Sequence, residues 1–162
     1  MGLRLLLATA VSATPVGFLQ GHQQPSGGFA EAGGAEGPAL TAWAVLGLRS
    51  AGAGTGGALG YLQAHEDALP ELTDAELVAV AEGALGHRPA ALLGRIRKAQ
   101  RPDGRIGPNV NSTIWGILAL RQSRVRAPRA SLRFLLRQQA RNGGWAWYLR
   151  GQPDSNDTAA AI

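Results

Sequence analysis

Two carboxylates near the end of the chain have a spacing that could support chemistry. Asp154 and Asp157 stand three residues apart, with Asn156 between them and Thr158 directly after them. Two carboxyl groups this close could share a proton, or they could bind a cation, although a carboxylate pair alone is a weak metal signal. In the structural interpretation, Asp157 and Thr158 cap the helix that follows. The residues themselves leave these alternatives open.

Aromatic side chains form the second candidate feature. One group lies shortly before the two carboxylates. The other consists of two tryptophans, each of which lies two residues after a threonine that starts an apolar run. Such residues pack in a core, or they line a cavity for an apolar or planar ligand and stabilise a cation through their ring faces. The predicted ligand-binding residues are these aromatic side chains and the amide between the carboxylates: Trp43, Trp115, Trp145, Trp147, Tyr148 and Asn156.

The chain offers little for a metal or a cofactor. It contains no cysteine, which excludes thiolate zinc sites, thioester chemistry and cysteine nucleophiles. The three histidines, His22, His65 and His87, lie near predicted helix ends without ligand spacing. No glycine-rich stretch has the strand and helix context of a phosphate-binding loop. We predict neither a metal site nor a cofactor.

A short pattern that occurs three times predicts how these residues are positioned. Each copy has glutamine first, glycine four residues later and a large apolar residue two positions after that. The second and third copies lie 39 residues apart, and the first and second lie 77 apart, about twice that distance. A period of this size is typical of repeat architectures. The residues predicted to build the repeat are Gln23, Gly27, Gln100, Gly104, Gln139 and Gly143.

The segments between the copies predict pairs of helices. An amphipathic helix precedes the glutamine of the later copies, over residues 90–100 and 130–139, and an apolar helix led by a threonine follows each copy. We expect these threonines to cap the apolar helices. Their positions are Thr41, Thr113 and Thr158. Alternating strand patterns are absent, so the predicted fold class is all-α.

A degenerate unit interrupts the repeat between residues 56 and 86. Glu66 stands near the glutamine position, but no glycine pair follows it. Thr73 and Asp74 are predicted to cap a second helix that runs from Ala75 to Leu85. This unit therefore retains the helix pair and loses the loop pattern.

The three copies, each with a helix on either side, resemble the QW-type repeats of squalene–hopene cyclases. The same architecture occurs in protein prenyltransferase β-subunits and in cobalamin-carrier-like proteins. The resemblance covers roughly residues 17–162 and implies an α/α toroid of helical hairpins around a central cavity, here an incomplete ring of about half. It also implies that each glutamine amide ties the end of an outer helix to neighbouring backbone. Prenyltransferases need a zinc with a cysteine ligand, which this chain lacks.

The segment from Asp154 to Ala159 resembles the Asp-x-Asp-Asp-Thr-Ala motif of class II terpene cyclases. The resemblance implies a carboxylic acid that is kept protonated by a neighbouring carboxylate and that protonates an alkene or epoxide. Asn156 occupies the position of the proton-donating aspartate of that family. An amide cannot donate an acidic proton, so ordinary cyclase protonation is not expected, and the acid would be Asp154 or Asp157.

The distribution of charge limits the kinds of partner that the sequence predicts. Ten of the sixteen basic residues and three of the eleven acidic residues lie after position 100. The arginines that recur every four residues from Arg129 to Arg141 predict a solvated helix face, or a face for an anionic membrane surface or a phosphate-bearing partner. Nucleic acid is not predicted, because no aromatic and basic stripe accompanies the charge. The oligomeric state is open.

The first residues resemble a short secretory signal. Arg4 precedes an apolar stretch and a small-residue site that ends at Ala13. We predict an exported protein with a signal segment at residues 1–14, although the same stretch could belong to the first helix. Residues 15–162 are then one domain. Because Ile162 falls inside a predicted helix, we expect the chain to be part of a longer protein.

Three functions remain open at this stage. The first is a toroid that binds an apolar or planar small molecule without ordinary cyclase activity. The second is a terpenoid cyclase-like enzyme that uses aspartate acid catalysis. The third is a structural repeat module without a ligand, and fold alone does not choose among them.

Overall fold

The computed structural model describes residues 14–162 and is all-helical over that range, which confirms the predicted fold class. The described part contains isolated β-bridges but no strand. A short 3-10 helix, Glu66–Ala68, follows α3. The eight α-helices are α1 Pro15–Gly21, α2 Pro38–Ser50, α3 Ala58–Ala64, α4 Leu72–Ala84, α5 Ala90–Lys98, α6 Val110–Gln122, α7 Arg129–Arg137 and α8 Ser155–Ala161.

The helices form two rows. In the even-numbered row, α2, α4 and α6 each have 13 residues and pack side by side in chain order, with α8 against α6. In the odd-numbered row, the helices have 7 to 9 residues and each packs against an even-numbered neighbour. The chain therefore alternates between a short helix and its partner in the adjacent row.

Helix α4 lies at the centre of the core. It packs against α2 on one side and α6 on the other, with α5 also against it. Every residue from Ala75 to Glu82 is buried. A helix covered on several sides must be apolar nearly all round, and most of these residues are. The two exceptions are Glu76 and Glu82, whose side chains are buried together with the apolar ones.

The three glutamine–glycine loops share one backbone geometry. Gly27, Gly104 and Gly143 have φ angles of 94°, 99° and 87°, a region that favours glycine. A side chain on Gly27 would collide with the carbonyl of Gly57, and one on Gly104 would collide with that of Ala130, whereas Gly143 has open space around it. The first two loops therefore pack tightly against the start of the next odd-numbered helix.

The glutamines lie two residues beyond the ends of α1, α5 and α7, so the helices predicted to reach positions 100 and 139 end earlier. Gln23 Nε2 donates hydrogen bonds to the carbonyls of Gly27 at 3.0 Å and Thr55 at 2.8 Å. Gln139 Nε2 donates to the carbonyl of Gly143 at 2.9 Å. Gln100 forms no side-chain hydrogen bond within residues 14–162 and pairs through its backbone.

The threonines that lead the apolar helices do not cap them, so that prediction is wrong. Helices α2, α6 and α8 begin three residues before Thr41, Thr113 and Thr158. Each threonine Oγ1 instead accepts a hydrogen bond from the backbone N–H of the apolar loop residue, at 2.9 to 3.1 Å. The caps of α6 and α8 are Asn109 and Asp154. The threonines thus fasten each loop to the helix that follows it.

Two other sequence expectations concern the chain between and before these loops. Helix α4 begins at Leu72, so Thr73 and Asp74 lie in its first turn and do not cap it. The predicted signal segment lies outside the described residues, apart from Thr14, whose hydroxyl caps α1. Over residues 14–162, every helix is too short or too polar to cross a bilayer.

Candidate functional site

A cleft of about 650 Å³ lies between side chains of α2, α6 and α8 and the loop before α8. Its walls combine tryptophan rings, two carboxyl groups, two amides and two small side chains. Six of the eight residues predicted as catalytic or ligand-binding come together here. The lining residues are Trp43, Asn111, Trp115, Trp147, Asp154, Asn156, Asp157, Ala159 and Ala160.

The tryptophans form an aromatic wall that is only partly covered. The rings of Trp43 and Trp115 meet edge to face, with centroids 5.3 Å apart and an interplanar angle of 88°. Trp43 is 52 % exposed and Trp147 is 45 % exposed, so neither ring is a core residue. The geometry is the one that aromatic pairs prefer. It leaves ring faces available to a ligand.

The common register of the even-numbered helices brings these side chains to one face. Trp43, Leu77, Trp115 and Ala160 are each the sixth residue of their helix. Because the four helices pack in a row, equivalent positions point to the same side. Leu77 is buried, and the other three line the cleft. The alanine on α8 leaves the space that large side chains occupy on α2 and α6.

The two aspartates are held by different contacts. Asp154 Oδ1 accepts a hydrogen bond from the backbone N–H of Asp157 at 2.8 Å and caps α8. Asp157 is 3 % exposed, and its Oδ1 accepts a hydrogen bond from Asn111 Nδ2 at 2.6 Å. The predicted cap formed by Asp157 and Thr158 is therefore wrong, because Asp154 fills that role. Asp157 instead ties α8 to α6.

Two buried oxygen atoms at this junction lack partners. Asp157 Oδ2 and Asn111 Oδ1 have no hydrogen-bond partner among the described residues. Buried polar atoms are nearly always paired, so each such atom requires an explanation. Both residues line the cleft. Protein atoms cover both oxygens, so a ligand in the cleft would supply the missing hydrogen bonds once one of these side chains turned toward it.

The environment separates the pKa values of the two carboxyl groups. Burial raises the pKa of Asp157, and the negative charge of Asp154 raises it further against the opposing hydrogen bond from Asn111. The backbone hydrogen bond from Asp157 lowers the pKa of Asp154. A pair of carboxyl groups with opposite shifts is a familiar arrangement for one acid and one carboxylate. Asp157 is the member that favours the protonated form.

The arrangement supports several kinds of chemistry. The ring faces suit a planar or hydrocarbon group and attract a cation. The buried oxygens suit a hydrogen-bond donor, and a protonated Asp157 could itself donate. The two carboxyl groups are the only acidic or imidazole groups lining the cleft within the described chain, and Asp154 is engaged as a cap. The cleft itself therefore resembles an organic ligand site more than a metal site.

The sequence matches no protein-family model. No curated protein and no solved structure matches it at a significant level either. A function for this cleft is therefore supported by its own residues and geometry alone.

Trp145 and Tyr148 are not brought to the cleft. Trp145 is buried, and its Nε1 donates a hydrogen bond to the carbonyl of Leu135 at 2.8 Å. Tyr148 is 65 % exposed and does not line the cleft. The six glutamines and glycines that were predicted to build the repeat lie in the loops, also outside the cleft. Trp145 therefore packs in the core, which is one of the two roles predicted for the aromatic residues.

Asn111 was not among the predicted ligand-binding residues. A signal was present, because Asn111 stands two residues before Thr113 as Asn156 stands two residues before Thr158. The equivalence places both amides at the second position of their helices. The hydrogen bond from Asn111 to Asp157 could not be read from this spacing, because it joins residues 46 positions apart.

Sequence reasoning also passed over the buried acids of α4. Glu76 and Glu82 lie within a stretch that reads as an apolar helix, and both are fully buried. Their carboxyl oxygens have no hydrogen-bond partner within the described chain. An acidic residue inside an apolar helix was the available signal. Neither residue lines the cleft.

Proposed function

We propose that the cleft binds a small organic molecule with a planar or hydrocarbon body and a hydrogen-bonding group. The observation that carries this proposal is the meeting of partly exposed tryptophan rings with buried, unpartnered oxygens of Asn111 and Asp157. Apolar walls with a few convergent polar groups are typical of small-molecule sites. A cleft of about 650 Å³ is within the usual range for such ligands.

The contacts suggest how a ligand would lie. Its flat or hydrocarbon part would rest against Trp43, Trp115 and Trp147, and its polar group would face the junction of α6 and α8. A ligand with positive charge would gain from the ring faces and from the carboxylate of Asp154. A ligand with a neutral donor would satisfy the buried oxygens without a charge.

We further propose that the two helix rows curve into part of an α/α toroid. Support comes from the even-numbered helices that pack in chain order and from the tight glycine loops that join successive units. The cleft lies on the face of the even-numbered row. That face would line the central cavity of a ring.

A second candidate function is acid catalysis on an apolar substrate. It is favoured by the raised pKa of Asp157 beside a carboxylate with a lowered pKa, in a cleft walled by aromatic rings. Asn156 also lines the cleft but has no acidic proton. Asp157 would therefore be the acid, and the tryptophan faces would stabilise the developing cation.

One set of variants tests both functions. Nile red, a neutral planar dye, is titrated into the full chain and then displaced with a linear triterpene. Removing a ring contact costs about 1 kcal/mol, so Trp43→Ala and Trp115→Ala should each weaken dye binding by about fivefold. Tyr148→Ala is the matched aromatic control and should bind as the parent does.

The triterpene incubation supplies the second measurement. Cyclised product that forms with the parent and disappears with Asp157→Asn would establish acid catalysis. Displacement of the dye without product would favour a binding protein. Equal dye affinity in the parent and both tryptophan variants would contradict the proposed cleft.

A further inference from the structure

Three metal-ligand side chains meet at the far end of α4, outside the tryptophan cleft. Ligand atoms of Glu66, Glu82 and His87 all lie within 4.8 Å of one another. Glu66 begins the 3-10 helix after α3, Glu82 lies in the last turn of α4, and His87 lies in the loop beyond it. Two carboxylates and an imidazole are ligands that Zn²⁺ and Mn²⁺ accept in proteins.

Glu82 is buried, and no hydrogen bond satisfies its carboxyl group. Its side chain is 0 % exposed, and neither carboxyl oxygen forms a hydrogen bond within the described chain. His87 Nε2 lies 3.7 Å from Glu82 Oε2, which allows an ion pair with a protonated imidazole but is too long for a hydrogen bond. Two ligands of a tetrahedral Zn²⁺, each about 2.1 Å from the metal, lie roughly 3.4 Å apart. The observed separation is close to that spacing.

Two charged carboxylates are unfavourable in this partly buried cluster. Burial raises the pKa of Glu82 to about 8, and the nearby Glu66 raises it as well. Burial also raises the pKa of Glu66, against the opposing attraction of His87. A divalent cation would neutralise both carboxylates and supply the contacts that Glu82 lacks. Glu66 and His87 are each partly exposed, so a cation has access from solvent.

The register of the chain makes this cluster specific to one unit. Glu66 lies two residues beyond the end of α3, as Gln23, Gln100 and Gln139 lie two residues beyond α1, α5 and α7. A glutamine amide closes the loop in two of those units. The unit of Glu66 has no glycine loop, and its carboxylate faces the end of α4 instead.

We propose that Glu66, Glu82 and His87 bind a divalent cation, with Zn²⁺ as the best fit to their donor set. The three side chains would supply two oxygens and one nitrogen, and water would complete the coordination. The cation would fasten the segment after α3 to the end of α4. It would therefore take the place of the glutamine amide that closes the loop in two of the other units.

The test uses the full chain without an affinity tag, because a histidine tag would itself bind zinc. Zn²⁺ is titrated calorimetrically into the parent, and bound metal is counted after dialysis. Mutation of a residue that only hydrogen-bonds to a metal ligand typically weakens metal binding about 10- to 100-fold. Glu82→Gln and His87→Ala each remove a proposed ligand itself, so each should weaken Zn²⁺ binding by about 100-fold or more. His22→Ala removes a partly exposed histidine outside the cluster, so it is the matched control and should bind as the parent does.

A thermal measurement guards against a folding artefact. Zn²⁺ should raise the Tm of the parent and of His22→Ala but not that of Glu82→Gln, because only binding to the folded state stabilises it. Glu66→Gln, at a partly exposed position, provides a second ligand variant if Glu82→Gln folds poorly. Stoichiometric binding that survives all three ligand variants, or no binding by the parent, would overturn the proposal.

Discussion

Glu76 places a carboxyl group in the interior of the protein, on the face of α4 that meets α6. It is fully buried, and neither oxygen has a hydrogen-bond partner in the described range. A side chain on Gly116 would lie 2.8 Å from Ile106 Cγ2 and 3.1 Å from Glu76 Oε1, so the glycine makes room for both side chains. The Arg95 guanidinium donates to the carbonyls of Leu69 and Pro70 at 2.6 and 2.9 Å. Its positive charge lowers the pKa of Glu76 and opposes the effect of burial only in part.

This burial predicts a pH-dependent stability that one substitution should remove. Burial raises the pKa of Glu76 to about 9 from an ordinary value of 4.5. Between these values the folded state binds more protons than the unfolded state, so stability is greatest at low pH and falls as pH rises. From pH 5 to pH 8 the parent should lose about 4 kcal/mol of unfolding free energy relative to Glu76→Gln. Urea unfolding at several pH values measures the difference.

The comparison isolates one residue because other titrating groups are common to both proteins. Asp74→Asn removes a carboxyl group at a partly exposed site of the same helix and serves as the matched control. That variant should follow the pH profile of the parent. Parallel profiles for the parent and Glu76→Gln would show that Glu76 ionises normally in the folded protein.

At the scale of elements, the glycine loops determine how one helix pair joins the next. Gly104 and Gly143 adopt nearly the same φ angle, yet only Gly104 is enclosed by the following helix. The two positions therefore separate the cost of the backbone conformation from the cost of packing. The loops also show why a glycine recurs at this place in each copy.

Alanine at these two glycines should have unequal effects. Gly143→Ala should cost about 1 to 2 kcal/mol of unfolding free energy, because an L-residue is strained at this φ. Gly104→Ala carries the same strain and also forces a collision with the Ala130 carbonyl, which should add about 1 to 3 kcal/mol. Chemical unfolding followed by far-UV circular dichroism measures both. Equal losses would mean that the loop does not pack against α7 as described.

The presence of the helices was predictable from this sequence, but their first residues and the contacts between distant parts of the chain were not. Apolar runs and turn residues identified the helices on both sides of each loop. The starts were placed three residues late on α2, α6 and α8, because a threonine hydroxyl that bonds backwards to a loop looks like a cap in sequence. Trp43 and Trp115 meet because they occupy equivalent positions on neighbouring helices. The sequence indicates this equivalence, because each tryptophan stands two residues after a threonine. The cluster of Glu66, Glu82 and His87 depends on three loop and helix ends, which no local pattern specifies.

At the scale of the whole molecule, the order of packing predicts an uneven stability. Helix α4 packs against α2, α3, α5 and α6, whereas α1 packs mainly on α2 and α8 mainly on α6. In arrays where units touch chiefly their neighbours, stability is a sum of local units and interfaces. Helices α1 and α8, which each contact mainly one neighbour, should therefore open in this chain while α4 stays folded.

Hydrogen exchange should reveal this gradient and the bond that holds α8. Backbone amides of α8 should exchange at least about tenfold faster than those of α4, because α8 packs mainly on α6 and its local opening exposes little of the core. Asn111→Ala removes the hydrogen bond to Asp157 and should speed exchange in α8 by about another tenfold, while α4 is unchanged. Asn156→Ala is the matched control, since this exposed amide forms no such bond between helices. Uniform protection from α2 to α8 would mean that the chain opens as one cooperative unit. Equal effects of the two variants would mean that the Asn111–Asp157 contact does not hold α8.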